Sequence, residues 1–299
     1  MFTVWSSSRY TFDLPEGHRF PVAKYELLRQ RVVDDGILPE DRVREPRRAT
    51  VAQLALVHTA EYLDRFTTGT LTPDELRRLG FPWSPGLVER SHRAVGGTID
   101  AAYWALEHGL AMNLAGGTHH AFPGRGEGFC VYNDVAVAIR VLQQDGRIGR
   151  AAVIDLDVHQ GNGTHAIFAG DPSVYTFSMH GGRNYPFHKV AGSLDIELAD
   201  DTGDEAYLDA LAAALPRVLP AADADLVFYL AGADPHENDR LGRLKLTFDG
   251  LARRDAMVLA ACREIGLPVA ITIAGGYGRD IADTVQVHVN TARIAASWG

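Results

Sequence analysis

Cysteine and long hydrophobic runs are both scarce in this sequence. The chain has two cysteines, Cys130 and Cys262, in 299 residues, and they form no CxxC pair. This argues against a disulfide framework or a cysteine-based zinc site, and it fits a reducing cytoplasm, where we expect the protein to be. The N-terminal residues lack the pattern of an export signal, and no apolar run approaches the roughly 20 residues of a membrane span.

Runs of basic residues are missing as well. The net charge is −9, from 29 Lys and Arg against 38 Asp and Glu. We therefore expect no nucleic-acid or anionic-membrane surface, and a cationic substrate fits this charge only weakly. With 46% apolar residues and no repeat or long linker, the chain can form one large core, so we predict a single domain over residues 1–299.

Apolar stretches alternate with helical patterns in the second half of the chain. Three such pairs are 152–156 with 162–169, 226–230 with 247–265, and 269–273 with 280–298. This alternation predicts an α/β fold with a central, mostly parallel β-sheet and helices on both faces. Residues 72–75 form a capping box, and Ser84-Pro85 predicts the start of a helix that runs to Gly109.

Polar residues occur where two of these strands end. Asp155, Asp157 and His159 alternate along the chain, so on an extended strand they would share one face. Each alone could be a helix cap, but burying carboxylates is costly unless a metal or another partner compensates. Asp234 follows a second apolar strand and would reach the same sheet edge. Asp157, His159 and Asp234 therefore predict a divalent-metal site with open positions, as in catalytic centres.

Groups suited to proton transfer follow pairs of glycines. His119 and His120 come directly after such a loop, and because imidazole titrates near neutral pH they are candidates for general acid and base. Tyr277 follows Gly275 and Gly276, where the glycines leave room for a ligand and the phenol can donate a hydrogen bond to an oxyanion.

Aromatic residues on two further loops are candidates for a substrate channel. Gly128, Phe129 and Tyr185 could line a narrow apolar passage for an alkyl stem. Four other histidines lack a comparable acidic or glycine-rich context and are interpreted as structural: His58, His108, His165 and His288.

Taken in this order, the motifs resemble the zinc-dependent histone deacetylase family, from about Glu16 to the C-terminus. The matching stretches are 116–120, 128–134, 155–163, Asp234, 239–242 and 275–277. Residues 159–163, Pro186 followed by Phe187, and the short chain look most like the class IV branch and its bacterial relatives. The resemblance implies the arginase/deacetylase fold and removal of an acetyl or longer acyl group from a lysine side chain or a related amine.

The resemblance also implies which ions bind. Asp157, His159 and Asp234 would hold Zn²⁺, or Fe²⁺ in its place. Family members bind a monovalent cation near the metal-bearing strand as well. Here that potassium site would involve Asp155, Asp157, His159, Ser178 and Met179.

For catalysis, the resemblance implies that an activated water attacks the amide carbonyl. His120 would act as general base and acid, while His119, oriented by Asp155, would stabilise charge and help to protonate the leaving amine. Tyr277 would donate to the oxyanion. Asn162 would stand behind His120, and because it is neutral, the pKa of His120 should be lower than with a carboxylate there.

Several alternatives stay open at this point. The loop at 79–83, which we expect on the rim of the site, lacks the carboxylate with which many deacetylases clamp a peptide backbone. Its Phe81 and Trp83 fit a longer acyl chain or a small amine such as an acetylpolyamine. An arginase-like binuclear ureohydrolase is less favoured, because Gly161 stands where a further carboxylate would be needed. A catalytically inactive binding module would be expected to lack a ligand, the tyrosine or a histidine, and all are present. The oligomeric state is not predicted.

Overall fold

A twisted sheet of parallel strands forms the centre of the computed structural model, which describes residues 1–298. The strands are β1 (Val4–Trp5), β2 (Val43–Arg44), β3 (Leu110–Asn113), β4 (Ala151–Asp155), β5 (Val174–Gly181), β6 (Leu194–Leu198), β7 (Leu226–Leu230) and β8 (Val269–Thr272). Their spatial order is β2-β1-β3-β8-β7-β4-β5-β6. Every neighbouring pair is parallel, so the prediction of a mostly parallel sheet is confirmed and sharpened.

Helices cover both faces of this sheet. They are α1 (Lys24–Asp34), α2 (Val51–Leu54), α3 (Ala60–Thr68), α4 (Pro73–Leu79), α5 (Pro85–His108), α6 (Asp134–Gln144), α7 (Asn162–Ile167), α8 (Asp204–Ala222), α9 (Phe248–Glu264) and α10 (Ile281–Ala296), with a short 3₁₀ helix at Glu40–Arg42. Within residues 1–298, none of these helices combines the length and the apolar character that a membrane crossing requires.

The core consists of two layers because alternate residues of each strand point to opposite faces. In β4, Ala152 and Ile154 pack with α1, α8, α9 and α10, whereas Ala151 and Val153 pack on the opposite face with α3, α5 and α6. Both faces of the central strands are therefore shielded from solvent, which explains their continuous apolar sequence.

The predicted elements are present, with ends displaced by at most two residues. Thr72 forms the predicted capping box of α4, and Ser84 caps α5, which ends one residue before Gly109. The strands β1, β2, β5 and β6 were not assigned from the sequence. β1 and β2 are too short, and β6 is too exposed, to show a period; β5 is long and buried, and was missed.

The predicted strand geometry at the metal site was wrong in one respect. β4 ends at Asp155, so Asp157 and His159 lie on the following loop and not on one face of a strand. The loop turns because the Asp157 amide donates to Asp155 Oδ1 (3.2 Å) and the His159 amide donates to Asp157 Oδ1 (2.9 Å). Aspartates favour such local turns over continued strand.

Candidate metal centre and active site

Two carboxylates and an imidazole converge at the carboxyl end of the neighbouring strands β4 and β7. One ligand atom from each of Asp157, His159 and Asp234 lies within 4.8 Å of the others, and all three side chains are buried. His159 Nδ1 is 3.0 Å from Asp157 Oδ1 and 3.2 Å from Asp234 Oδ2. Ligands at about 2.0–2.1 Å around a tetrahedral ion lie about 3.3 Å apart, so this spacing fits a divalent metal.

The hydrogen bonding of the cluster leads to the same conclusion. Asp234 Oδ2 is buried and accepts no hydrogen bond of good geometry within residues 1–298, although His159 Nδ1 lies 3.2 Å away as an ion-pair contact. A buried carboxylate oxygen without a donor is costly, and a cation beside it removes that cost. The three predicted ligands therefore fit a divalent ion in two ways. Their spacing suits its coordination, and the protein does not fully compensate the negative charge of the buried Asp234 carboxylate.

Burial and charge within the cluster raise the pKa values of two of its members, so that a metal ion would displace protons when it binds. Burial, followed by the negative charge of Asp157, raises the pKa of Asp234 to about 7. Burial by itself would lower the pKa of His159, but the hydrogen bond to Asp157 and the contact with the Asp234 carboxylate outweigh it and raise that pKa to about 10. Without an ion, the His159 proton supplies the positive charge between the two acids.

Backbone groups hold these carboxylates from behind. The Gly275 amide donates to Asp157 Oδ2 (2.7 Å), and the Val158 amide donates to Asp234 Oδ1 (2.9 Å). A Cβ at position 275 would lie 2.0 Å from Asp234 Oδ2, so only glycine fits. Gly276 (φ 152°) faces α10, where a Cβ would lie 2.6 Å from a Thr284 methyl. That both glycines contact substrate stays a prediction, since their contacts shown here are with the protein.

A buried arginine beneath the cluster was missed in the sequence. Arg254 of α9 is fully buried, and its Nη1 donates to the carbonyls of Gly232 (2.7 Å) and Leu156 (3.3 Å). These carbonyls belong to the loops that carry Asp234 and Asp157. Its charge is paired with Asp255, whose Oδ1 accepts from Arg254 Nε at 2.9 Å. In the sequence, an Arg-Asp pair on a helix looks like ordinary surface charge.

The two adjacent histidines have different partners. His119 Nδ1 donates to Asp155 Oδ2, and His120 Nδ1 donates to Asn162 Oδ1, both at 2.6 Å. Burial opposes protonation of His119, but Asp155 and Asp157 prevail and raise its pKa to about 9. Burial and the charges of His119 and His159 lower the pKa of His120. His120 is thus a neutral imidazole with an unprotonated Nε2, whereas His119 carries a proton on each ring nitrogen.

Glu127 is a second residue that sequence reasoning missed. It is buried, and its Oε1 accepts hydrogen bonds from Asn162 Nδ2 (3.0 Å) and from the Tyr185 hydroxyl (2.8 Å). Arg125 Nε donates to its other oxygen at 3.1 Å. Asn162 is therefore neutral but backed by a carboxylate, which the loop sequence alone does not reveal.

Aromatic rings form the walls above the cluster. The Phe129 and Tyr277 rings lie 5.7 Å apart, and the Tyr185 ring packs edge-on against His120 at 4.9 Å. A Cβ at Gly128 would lie 2.8 Å from His120 Cδ2, so the glycine lets this wall approach the histidine. Phe81, expected on the rim, is instead buried behind Phe129, with ring centroids 5.3 Å apart.

These walls open into a cavity of about 770 Å³, whose inner end contains His120, His159 and Tyr277. We call its outer part the mouth, defined by Arg19, Arg78, Arg183, Arg240, Arg243 and Phe187. We call the buried cluster beneath its inner end the floor, defined by Asp157, His159, Asp234, His119 and His120. The predicted catalytic and metal-binding side chains thus meet at one place.

Comparison with known proteins identifies the family. A family model described as histone deacetylase domain matches residues 18–292. The chain belongs to the histone deacetylase family. Histone deacetylase 2 of Arabidopsis thaliana is 34% identical over 282 residues, covering 90% of this chain and 73% of that protein. Acetoin utilization protein AcuC of Bacillus subtilis is 33% identical over 273 residues, covering 82% and 69%.

Further relatives extend this picture. An uncharacterized protein of Picosynechococcus sp. is 50% identical over 287 residues, which is 96% of each chain. The crystal structure of an HDAC homolog from Aquifex aeolicus has a TM-score of 0.87 at 23% identity, covering 99% of this chain and 84% of the other. At that identity the likeness shows the fold alone. Membership of the histone deacetylase family supports acyl-amide deacetylase activity.

The other residues predicted for this deacetylase fold lie as follows. Ser178 of β5 pairs in register with Asp155 of β4, and Met179 follows it, so both lie beside the metal-bearing strand; the potassium ion stays a prediction. His58 Nδ1 donates to the Phe122 carbonyl, and its Nε2 accepts from the Asn133 amide, both at 3.0 Å. His58 thus holds backbone groups on either side of the 123–132 loop.

Proposed function

We propose that this chain is a metal-dependent amide hydrolase that removes an acetyl or longer acyl group from a lysine side chain or a related amine. Zn²⁺ is the proposed ion, with Fe²⁺ as the alternative, held by Asp157, His159 and Asp234. The observation that carries the proposal is the buried Asp234 oxygen without a well-formed hydrogen bond, in a ligand cluster directly beside His120. When bound, such an ion polarises an amide carbonyl and increases the acidity of water.

The side chains of the floor divide the proton transfers between them. His120 donates from Nδ1 to Asn162, which leaves Nε2 free to accept a proton from the attacking water. His119 is held in place by Asp155 and retains its proton, so it can stabilise charge and deliver a proton to the leaving amine. Tyr277 provides a hydroxyl for the carbonyl oxygen as negative charge develops there.

Narrower assignments are proposals too. We assign residues 1–299 to one catalytic domain of class IV type, on the strength of residues 159–163 and of Pro186 followed by Phe187. Both cysteines are free and buried, which is consistent with the cytoplasmic location expected above. A structural potassium ion beside β4 and β5 belongs to the same proposal.

Two alternatives differ in substrate or ion count. A small acylamine remains the alternative substrate, and its chemistry at the floor would be the same. A binuclear ureohydrolase is disfavoured because a Cβ at Gly161 would lie 2.4 Å from Asp155 Oδ2, so no further carboxylate fits at that position. A measured stoichiometry of two divalent ions per chain would revive it.

Substitution of Tyr277 by Phe tests the proposed function. Wild-type protein should hydrolyse acyl-lysine peptides, lose activity on chelation and recover it with Zn²⁺ or Fe²⁺. Tyr277→Phe keeps the ring packed against Phe129 but removes the oxyanion donor, so kcat should fall about 10²- to 10³-fold. Its zinc content and circular dichroism, measured as controls, should match wild type. Wild-type turnover in this variant, or hydrolysis unaffected by chelation, would contradict the proposed chemistry.

A further inference from the structure

The mouth carries positive charge on a protein that is negatively charged as a whole. Five arginines line this one cavity, and within residues 1–298 no Asp or Glu lines it. They come from separate parts of the chain: Arg19 precedes α1, Arg78 is in the last turn of α4, Arg183 follows β5, and Arg240 and Arg243 follow β7. A net charge of −9 makes such clustering of one sign unexpected for a random solvated surface.

Most of this charge is not neutralised by the protein. Asp200 pairs with Arg243 (3.0 Å) and more loosely with Arg183 (3.8 Å). Across the described part of the chain, Arg19, Arg78 and Arg240 form no ion pair, whereas most other arginines do. Three guanidinium groups around the mouth are therefore free to bind an incoming anion.

Several of these arginines are fixed close to the catalytic walls. Arg240 donates from Nε to the backbone carbonyl of Tyr277 (3.1 Å), so its guanidinium is held against the loop that carries Tyr277. The Arg78 carbonyl accepts from the Gly128 amide (3.1 Å), and the Arg243 amide donates to Asn184 Oδ1 (3.3 Å) next to Tyr185. These contacts hold the backbones of Arg78 and Arg243 next to the walls, and all five arginines line the cavity above the floor.

We infer that the substrate carries negative charge, as carboxylate or phosphate, on the part that remains in the mouth while the acyl group reaches the floor. Guanidinium groups bind both anions in bidentate geometry. A basic peptide or a polyamine would be repelled by the same groups. This inference rests on the proposed function, and two sources share the required chemistry: an acyl-lysine flanked by acidic residues, or a small anionic acylamine.

The inference is tested with a matched substrate series that has one acyl group. The peptides place acetyl-lysine between Glu, Ala or Lys residues, and the small substrates are Nε-acetyl-lysine with its α-amino group blocked as a carbamate and its carboxylate free, the neutral amide of that compound, and acetylputrescine. We expect kcat/KM to rank anionic above neutral above cationic, by about tenfold per step at low ionic strength and less at high salt. Preference within the peptides, the small molecules or both identifies the source of the anion.

A pair of double variants separates the mouth from overall charge. Arg19→Gln with Arg78→Gln should remove most of the preference for anionic substrates. Arg217→Gln with Arg263→Gln lowers the net charge equally on α8 and α9 and should leave the preference as in wild type. Hydrolysis of the series without an anionic preference, or equal losses in the two double variants, would overturn the inference. Failure to hydrolyse any member, neutral ones included, would instead count against the proposed function.

Discussion

The floor and the mouth of this cavity differ in almost every physical respect. The floor is acidic, buried and tied to the ends of two central strands, and its side chains are held by short hydrogen bonds from neighbours. The mouth is basic and exposed, and it is assembled from loops that are distant in sequence; Phe187 there is 85% exposed. The comparison indicates that the proposed chemistry depends on side chains anchored in the core. The proposed selectivity depends instead on exposed side chains, whose substitution should change the stability of the fold little.

Substitution of Arg254 should have the largest effect on the stability of the floor, although Arg254 is not one of the floor residues. In Arg254→Met, Asp255 is left as a buried unpaired charge, and the carbonyls of Leu156 and Gly232 lose their donor. We expect the free energy of unfolding to fall by roughly 3–5 kcal/mol, measured by urea denaturation. The adjacent Arg253 is surface-paired with Glu205, so Arg253→Met should leave the unfolding midpoint unchanged. Equal losses in both variants would contradict the supporting role of Arg254.

Acid should weaken the region around the floor while leaving the arginines of the mouth charged. Burial lowers the pKa of His58 from 6.5 to about 4, so the folded state favours the neutral ring. This contribution to stability is fully present above pH 6.5 and is lost as the pH falls from 6.5 towards 4. The linkage is worth up to roughly 3 kcal/mol. In His58→Gln, the free energy of unfolding should fall less steeply over this range than in wild type; parallel pH curves would refute the assignment.

Glu127 sharpens the comparison because it joins the two regions. One oxygen of Glu127 accepts hydrogen bonds from Asn162, which lies behind the floor, and from Tyr185, which lies on the wall below the mouth. Glu127→Gln keeps the shape but removes the charge, and we expect kcat to fall about tenfold with little change in KM, as for other partners of catalytic groups. Tyr185→Phe leaves the bond to Asn162 in place and should lower kcat less. The opposite order would show that Glu127 acts through the wall.

The floor could be predicted from sequence because burial makes polar residues conspicuous. Asp157, His159 and Asp234 interrupt apolar stretches that have no other reason to contain charge, and the glycines beside them mark close packing. Even so, the predicted strand geometry was partly wrong. β4 ends at Asp155, and local turns at the aspartates bring the remaining ligands into place.

The buried roles of Arg254 and Glu127, the composition of the mouth and the burial of Phe81 leave no recognisable pattern in the sequence. Arg254 and Glu127 look like surface charges in sequence, and only the tertiary packing buries them. The mouth depends on how loops approach each other in space, which no periodicity encodes. Phe81 illustrates the same limit, since its loop position indicated the rim and its packing against Phe129 buries it.

The separation of charge between the mouth and the remainder of the chain also affects how a substrate arrives. Seen from far away, a protein of net charge −9 weakly repels an anion, and only within about one Debye length, roughly 8–10 Å, does the local field of the guanidinium groups take over. The mouth is therefore a positive region on a molecule of negative net charge. For the anionic substrate inferred above, this field would favour arrival with the charged end at the mouth and the uncharged acyl arm towards the channel.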